Sequence, residues 1–164
     1  MFIELEPLFN NIGFSVPVDY SMDMSEESFY AGQPFEKAIK ISGEVKNRAG
    51  IVSVEAVAEV EIHTECDRCA DSVVREFTVP VSHTLVTSLN DEDNDELILV
   101  EDMHFDLDSL IREDILLSLP GKILCSEDCK GVCQYCGENL NFGQCSCKKP
   151  TDPRLEVLKQ LLDN

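Results

Sequence analysis

Six of the chain's eight cysteines lie in "CSEDCKGVCQYCGENLNFGQCSC", residues 125 to 147, and the other two, Cys66 and Cys69, lie in "TECDRCAD". No other feature constrains the fold as strongly. The downstream segment has too few apolar residues to build a core of its own, so bonds through sulfur must order it. The thiols fall into four close pairs: Cys66-x2-Cys69, Cys125-x3-Cys129, Cys133-x2-Cys136 and Cys145-x-Cys147. A tetrahedral zinc takes four soft ligands, usually as two such knuckles. By count the chain makes two four-cysteine sites with no thiol left over. The most economical division puts Cys133, Cys136, Cys145 and Cys147 in one local site and joins Cys66 and Cys69 to Cys125 and Cys129 in another. Eight ligands can be divided in other ways, and the count alone allows one or two structural zinc ions. Gly137, directly after Cys136, suits the backbone turn that lets amides point at sulfur.

Three rival chemistries fit less well. Disulfides belong to oxidising compartments. The opening "MFIELEPLFNNIGFSV" carries Glu4 and Glu6 and no basic residue, which is not the pattern of a secretory signal. No stretch reaches the ~20 apolar residues of a membrane-spanning helix, so a cytoplasmic protein without a membrane partner is expected. Thioredoxin-like catalysis wants its Cys-x-x-Cys at a helix start in a βαβ setting, whereas Cys66 and Cys69 sit between two strand patterns. Iron and iron–sulfur clusters also accept four thiolates and stay open as alternatives. A catalytic zinc keeps an open position that four thiolates would fill, so the expected metal is structural. The three histidines assemble no active site: His63 reads as a strand residue near Cys66, and His83 and His104 have no evident partners. There is no phosphate loop, nucleophile elbow or HExxH motif, and no enzyme is expected.

Around the cysteines the chain reads as an α+β protein, an antiparallel β-rich domain with a few helices and a C-terminal cysteine-rich zinc module. Val16, Val18, Tyr20, Met22 and Met24 alternate around Pro17, which predicts an edge strand. Residues 35 to 46 offer a second strand, followed by a turn at "NRAG". Val52, Val54, Ala56, Ala58, Val60 and Ile62 hold a period of two with polar residues between them, broken only by Val57; no helix keeps such a pattern. A further alternation from Val73 to Leu85 places Cys66 and Cys69 at the tip of a hairpin. Residues 90 to 96 read as an acidic loop. "FDLDSLIREDILLSLPGK" reads as a helix capped by Asp106 or Asp108, with Leu107, Leu110, Ile111 and Ile115 on one face and Pro120-Gly121 as its stop. Leu155, Leu158, Leu161 and Leu162 predict a last helix after Pro153. The expected organisation is a β-rich body over residues 1–120, the cysteine-rich module over 121–150 and a C-terminal helix over 151–164.

The charge balance is 13 Lys+Arg against 32 Asp+Glu, a net −19. Such a surface repels polyphosphates and favours basic partners. The only local contrast is Lys122, Lys130, Lys148, Lys149 and Arg154 around the cysteines, where Tyr135 and Phe142 could stack on bases or else cover the metal sites.

The motifs "CDRC", "IREDILLSLP", "CKGVCQYCGENLN", "CSC" and "DPRLEVLKQL", in this order, resemble those of the YceD family, whose members are named large ribosomal RNA subunit accumulation proteins. The resemblance covers roughly residues 40 to 164. It implies a bacterial or plastid protein acting in large-subunit rRNA processing or accumulation, with no enzymatic activity. It also implies a genomic neighbour encoding a small basic ribosomal protein. Some members keep only the counterparts of Cys66, Cys69, Cys125 and Cys129, which implies that these four act as one unit and that the second set is an optional local zinc module. The expected function is a non-enzymatic factor in large-subunit biogenesis that binds a basic ribosomal protein or a pre-ribosomal particle through its acidic surface. The alternative is direct rRNA contact through Lys130, Lys148 and Lys149; a redox or metallo-enzyme is a third class.

Overall fold

A computed structural model describes residues 1–29, 32–88 and 97–147. The expected acidic loop and C-terminal helix lie outside the described residues, as do Lys148, Lys149 and Arg154. The chain divides into two compact units, one formed by Met1–Thr64 and Ser72–Lys122, the other by Glu65–Asp71 and the chain from Ile123 onward.

The first unit is α+β. Seven strands and two helices follow in the order β1 (Phe2–Glu4), α1 (Glu6–Asn10), β2 (Ser15–Met22), β3 (Ile39–Arg48), β4 (Ile51–Glu65), β5 (Ser72–Val86), β6 (Leu97–Leu99), β7 (His104–Asp106) and α2 (Leu107–Ser118) among the described residues. Strands β2 to β6 form one sheet in sequence order, and β1 pairs with β7 in a separate ribbon. The β2–β3 and β3–β4 pairs are antiparallel, while β5–β6 is parallel.

The period of two has the expected consequence. Val52, Val54, Ala56, Ala58, Val60 and Ile62 of β4 are all buried, joined by Ile39, Ile41 and Val45 of β3 and Val79, Val81 and Leu85 of β5. Val57, the exception in the pattern, is exposed on the other face. Strand β2 is the sheet edge its proline predicts, with Pro17 opposite Glu44. It stops at Met22, where the Asp23 carboxylate accepts from the Ser25 amide at 2.9 Å. The second strand starts at Ile39 rather than at residue 35: Phe35 is buried, but its neighbour Pro34 contributes only a carbonyl, which accepts from the His63 amide at 2.8 Å.

The β3–β4 turn has Ala49 and Gly50 at φ 55° and 88°, the two left-handed positions of a type I′ hairpin. Buried Asn47 secures it, donating to the Leu8 carbonyl at 2.7 Å and accepting from the Gly50 amide at 2.9 Å. Gly43 lies where β3 and β4 approach most closely; a Cβ there would sit 2.3 Å from the Glu55 carbonyl oxygen. Asp106 is the cap of α2, accepting from the Asp108 amide at 3.2 Å. Leu107, Ile111 and Ile115 are fully buried where α2 packs on β5 and β1. Among the described residues no helix is long and apolar enough to cross a membrane.

Candidate metal centre

The second unit contains all eight cysteines, and all are free thiols. They form two quartets. The sulfurs of Cys66, Cys69, Cys125 and Cys129 lie within 4.8 Å of one another, as do those of Cys133, Cys136, Cys145 and Cys147. This is the economical division of the sequence.

Local backbone geometry builds the first quartet. After Cys66 the chain turns back, the Ala70 amide donating to the Cys66 carbonyl at 2.9 Å and Ala70 adopting φ 58°. Asp67 then ties this knuckle to the distant segment: its amide donates to the Ile123 carbonyl at 2.9 Å, and its carboxylate accepts from the Ile123 amide at 2.5 Å. Arg68 donates to the Cys129 carbonyl at 2.8 Å. These contacts set Cys66 and Cys129 sulfurs 3.7 Å apart and Cys69 and Cys125 sulfurs 3.6 Å apart. A disulfide would need about 2.05 Å. A tetrahedron of sulfurs at the usual zinc–sulfur bond length has an edge of about 3.8 Å. The donor set and its spacing therefore fit a zinc-sized ion.

The second quartet is built locally. The Gly137 amide donates to the Cys133 carbonyl at 2.9 Å, the Cys133 amide to the Glu138 carbonyl at 2.8 Å, and Gly137 takes φ 75°. The Tyr135 amide points at the Cys133 sulfur at 3.4 Å, and the Cys145 sulfur lies 3.3 Å from that of Cys133. Burial separates the two quartets. Cys66, Cys69 and Cys129 are buried, whereas Cys136 and Cys147 are exposed.

Both quartets hold thiols of unequal acidity. Burial pushes Cys66 up, but the amides of Arg68, Cys125 and Cys69 outweigh it and bring the thiol down to about 6. The Asn141 side chain, the strongest influence on Cys129, lowers it further than burial raises it. Cys125 is raised, first by the neighbouring Cys129 and then by burial. The Asp71 amide favours the Cys69 thiolate, yet burial and the adjoining sulfurs and carboxylate leave that thiol raised. In the second quartet the amides of Tyr135 and Cys136 lower Cys133 to about 6, Cys133 raises Cys145, and Cys136 raises Cys147 to about 12. Each set thus carries at least one sulfur prepared as an anion beside sulfurs that hold protons until a cation displaces them.

The histidines take no part in either quartet. His63 is half-buried between carboxylates, Nε2 2.5 Å from Glu61 and Nδ1 3.2 Å from Glu36. His83 and His104, partnerless by sequence, face Asp114 at 2.7 Å and Glu4 at 2.6 Å. Tyr135 and Phe142 are 53% and 85% exposed and so do not seal the quartets. The sequence reading missed two residues that touch the first quartet's surroundings. Asn139 donates to the Asp71 carboxylate at 2.7 Å, and Asn141 donates to the Cys129 sulfur at 3.4 Å. The available signal was a pair of amides two apart within "GENLN", between the ligand pairs of the second quartet.

A family model described as "Large ribosomal RNA subunit accumulation protein YceD" matches residues 54–162. The chain is also similar to the "Uncharacterized protein YlbN" of Bacillus subtilis (strain 168), 27% identical over 127 residues that cover 76% of this chain and 74% of that protein. No solved structure matches it.

Proposed function

The chain belongs to the YceD family, and from that premise we propose that it is a non-enzymatic factor in large ribosomal subunit biogenesis, supporting rRNA accumulation by binding a basic ribosomal protein or an assembling particle. The observation that carries this reading is the family match itself, whose span over residues 54–162 includes every cysteine. In this reading each quartet holds one structural zinc. Four thiolates complete a tetrahedron and leave no position for a substrate or an activated water, which supports a structural role and argues against metal-centred catalysis.

Charge supports a basic protein as partner. The net −19 of the chain disfavours a polyphosphate and speeds encounter with cations. Even the described part of the cysteine unit is acidic, with Glu65, Asp67, Asp71, Glu127, Asp128 and Glu138 against Arg68 and Lys130. A second reading, direct rRNA binding, draws on the exposure of Tyr135 and Phe142 and on Lys130, Lys148 and Lys149. Its strength would be base stacking beside a local positive charge.

The test uses zinc-loaded chain, purified large-subunit proteins and large-subunit rRNA. The expected result is capture of a basic ribosomal protein at low salt, weakening as ionic strength rises, without retention of rRNA. Retention of rRNA at high salt with no basic protein captured would sink the proposal. Replacing Lys130, Lys148 and Lys149 by alanine would then abolish that retention under the second reading, while leaving protein capture intact under the first. In cells, loss of the chain should lower large-subunit rRNA relative to small-subunit rRNA.

A further inference from the structure

The loop from Gly137 to Gln144 joins the two ligand pairs of the second quartet, yet its side chains serve the first. Asn141 donates from Nδ2 to the Cys129 sulfur at 3.4 Å, and its Oδ1 accepts from the Lys130 amide at 2.7 Å. Asn139 donates from Nδ2 to the Asp71 carboxylate at 2.7 Å; the same carboxylate oxygen lies 3.3 Å from the Cys69 sulfur. The two asparagines are locked to each other, the Asn141 amide donating to Asn139 Oδ1 at 2.9 Å. The backbone adds a third tie, from the Leu140 amide to the Gly131 carbonyl at 2.8 Å. Gly131 sits at φ 73°, and a Cβ there would lie 3.0 Å from the Arg68 carbonyl oxygen, so these segments approach closely.

Resting on the reading that both quartets bind zinc, we propose that occupancy of the Cys133/Cys136/Cys145/Cys147 site sets the zinc affinity of the Cys66/Cys69/Cys125/Cys129 site, with Asn139 and Asn141 as the positioning residues that couple them. A zinc held by Cys133, Cys136, Cys145 and Cys147 pins both ends of the loop and removes most of its conformational freedom. Asn141 is then held ready to donate to a sulfur that carries full negative charge once metal binds. Asn139 donates to the Asp71 oxygen that faces the Cys69 sulfur, and so offsets the negative charge beside that thiolate. Outer hydrogen bonds of this kind are worth about 10–100-fold in metal affinity. Coupling of this kind is reciprocal, so zinc in the first site must tighten the second by the same factor.

The test is a zinc titration of the full-length chain under reducing conditions, buffered by a competing chelator and read by amide NMR. The Cys66 and Ala70 signals report the first site, and the Gly137 signal reports the second. In a Cys136→Ser/Cys147→Ser chain the first-site midpoint should move to about 10–100-fold higher free zinc. An Asn139→Ala/Asn141→Ala chain, which keeps all eight ligands, should show the same shift while Gly137 still responds. In the chain carrying all four substitutions no further shift should occur, because the loop then has nothing to transmit. A shift below about five-fold in either variant overturns the coupling, and so does full additivity of the two sets. Two zincs bound independently by the unaltered chain would remove this inference alone, whereas no zinc response at all would remove the metal reading as well.

Discussion

Asp67 is the residue on which assembly of the first quartet should depend most visibly. It lies directly after Cys66, and its two bonds to Ile123 set the register of the segment that delivers Cys125 and Cys129. Asp67→Ala keeps the amide-to-carbonyl bond and removes the carboxylate that accepts from the Ile123 amide. A hydrogen bond to a charged group contributes about 1.5–3 kcal/mol. This bond is part-buried, and solvent screening of its exposed side reduces the figure to about 1–2 kcal/mol. That loss falls on the assembled site, so the zinc affinity of the first quartet should drop by about 5–30-fold. Asp67→Asn keeps an oxygen acceptor without the charge and should lose less than half of that free energy. The assay is competition for zinc against a chromophoric chelator, run beside the unaltered chain under reducing conditions. Equal affinity of the Asp67→Ala and unaltered chains would refute the argument that this contact aligns the two halves of the site. A drop as large for Asp67→Asn would show that the negative charge of the carboxylate, not a neutral oxygen acceptor of the same shape, sets the register.

Zinc binding at pH 8 should release protons from both sites, Cys69 and Cys125 giving up theirs in one and Cys145 and Cys147 in the other, since all four thiols are raised. Binding that releases protons weakens as pH falls, so calorimetry in buffers of different ionisation enthalpy should report this release, and with at least two protons released per site the affinity should fall by at least about 100-fold per pH unit. Chelator should strip the loaded chain in two phases, the fast one belonging to the quartet with exposed Cys136 and Cys147, and Cys136→Ser should remove that phase. Gly43→Ala should destabilise the first unit by about 1–3 kcal/mol, because the new Cβ meets the Glu55 carbonyl and the Ala56 backbone at 2.3 and 2.4 Å; thermal unfolding followed by circular dichroism should show a lower midpoint. Ala49→Asn should do the reverse, by about 0.5–1 kcal/mol, since Ala49 at φ 55° occupies a turn position that asparagine tolerates better.

The legible parts of this structure are those whose cause is local. Alternation over Val52 to Ile62 survives as β4 because a period of two has only one way to bury its apolar face. Asp106 caps α2 because the signal and its partner amide are two residues apart. Strands β1, β6 and β7 were not legible. Each has three residues, too few to display a period, and β1 and β7 pair with each other from opposite ends of the first unit's sequence. The pairs His83–Asp114 and His104–Glu4 were hidden for the same reason, with 31 residues separating the first pair.

The quartets divide along the same line, which accounts for their different surroundings. Cys136 and Cys145 are 9 positions apart in the sequence, and their loop closes at little cost. Cys69 and Cys125 are 56 apart, and closing the longer loop costs about 1.6 kcal/mol more. Something besides metal must offset that difference. The structure supplies it as bonds that no cysteine spacing reveals: the Asp67–Ile123 pair, Arg68 on the Cys129 carbonyl, and the Asn139 and Asn141 amides. The local quartet has no such side-chain donors on its sulfurs among the contacts described, and two of its four ligands stand exposed. A motif of paired thiols therefore points to an economical division of the sulfurs among several, but the support of the long-range site lies in residues that look like ordinary polar loop.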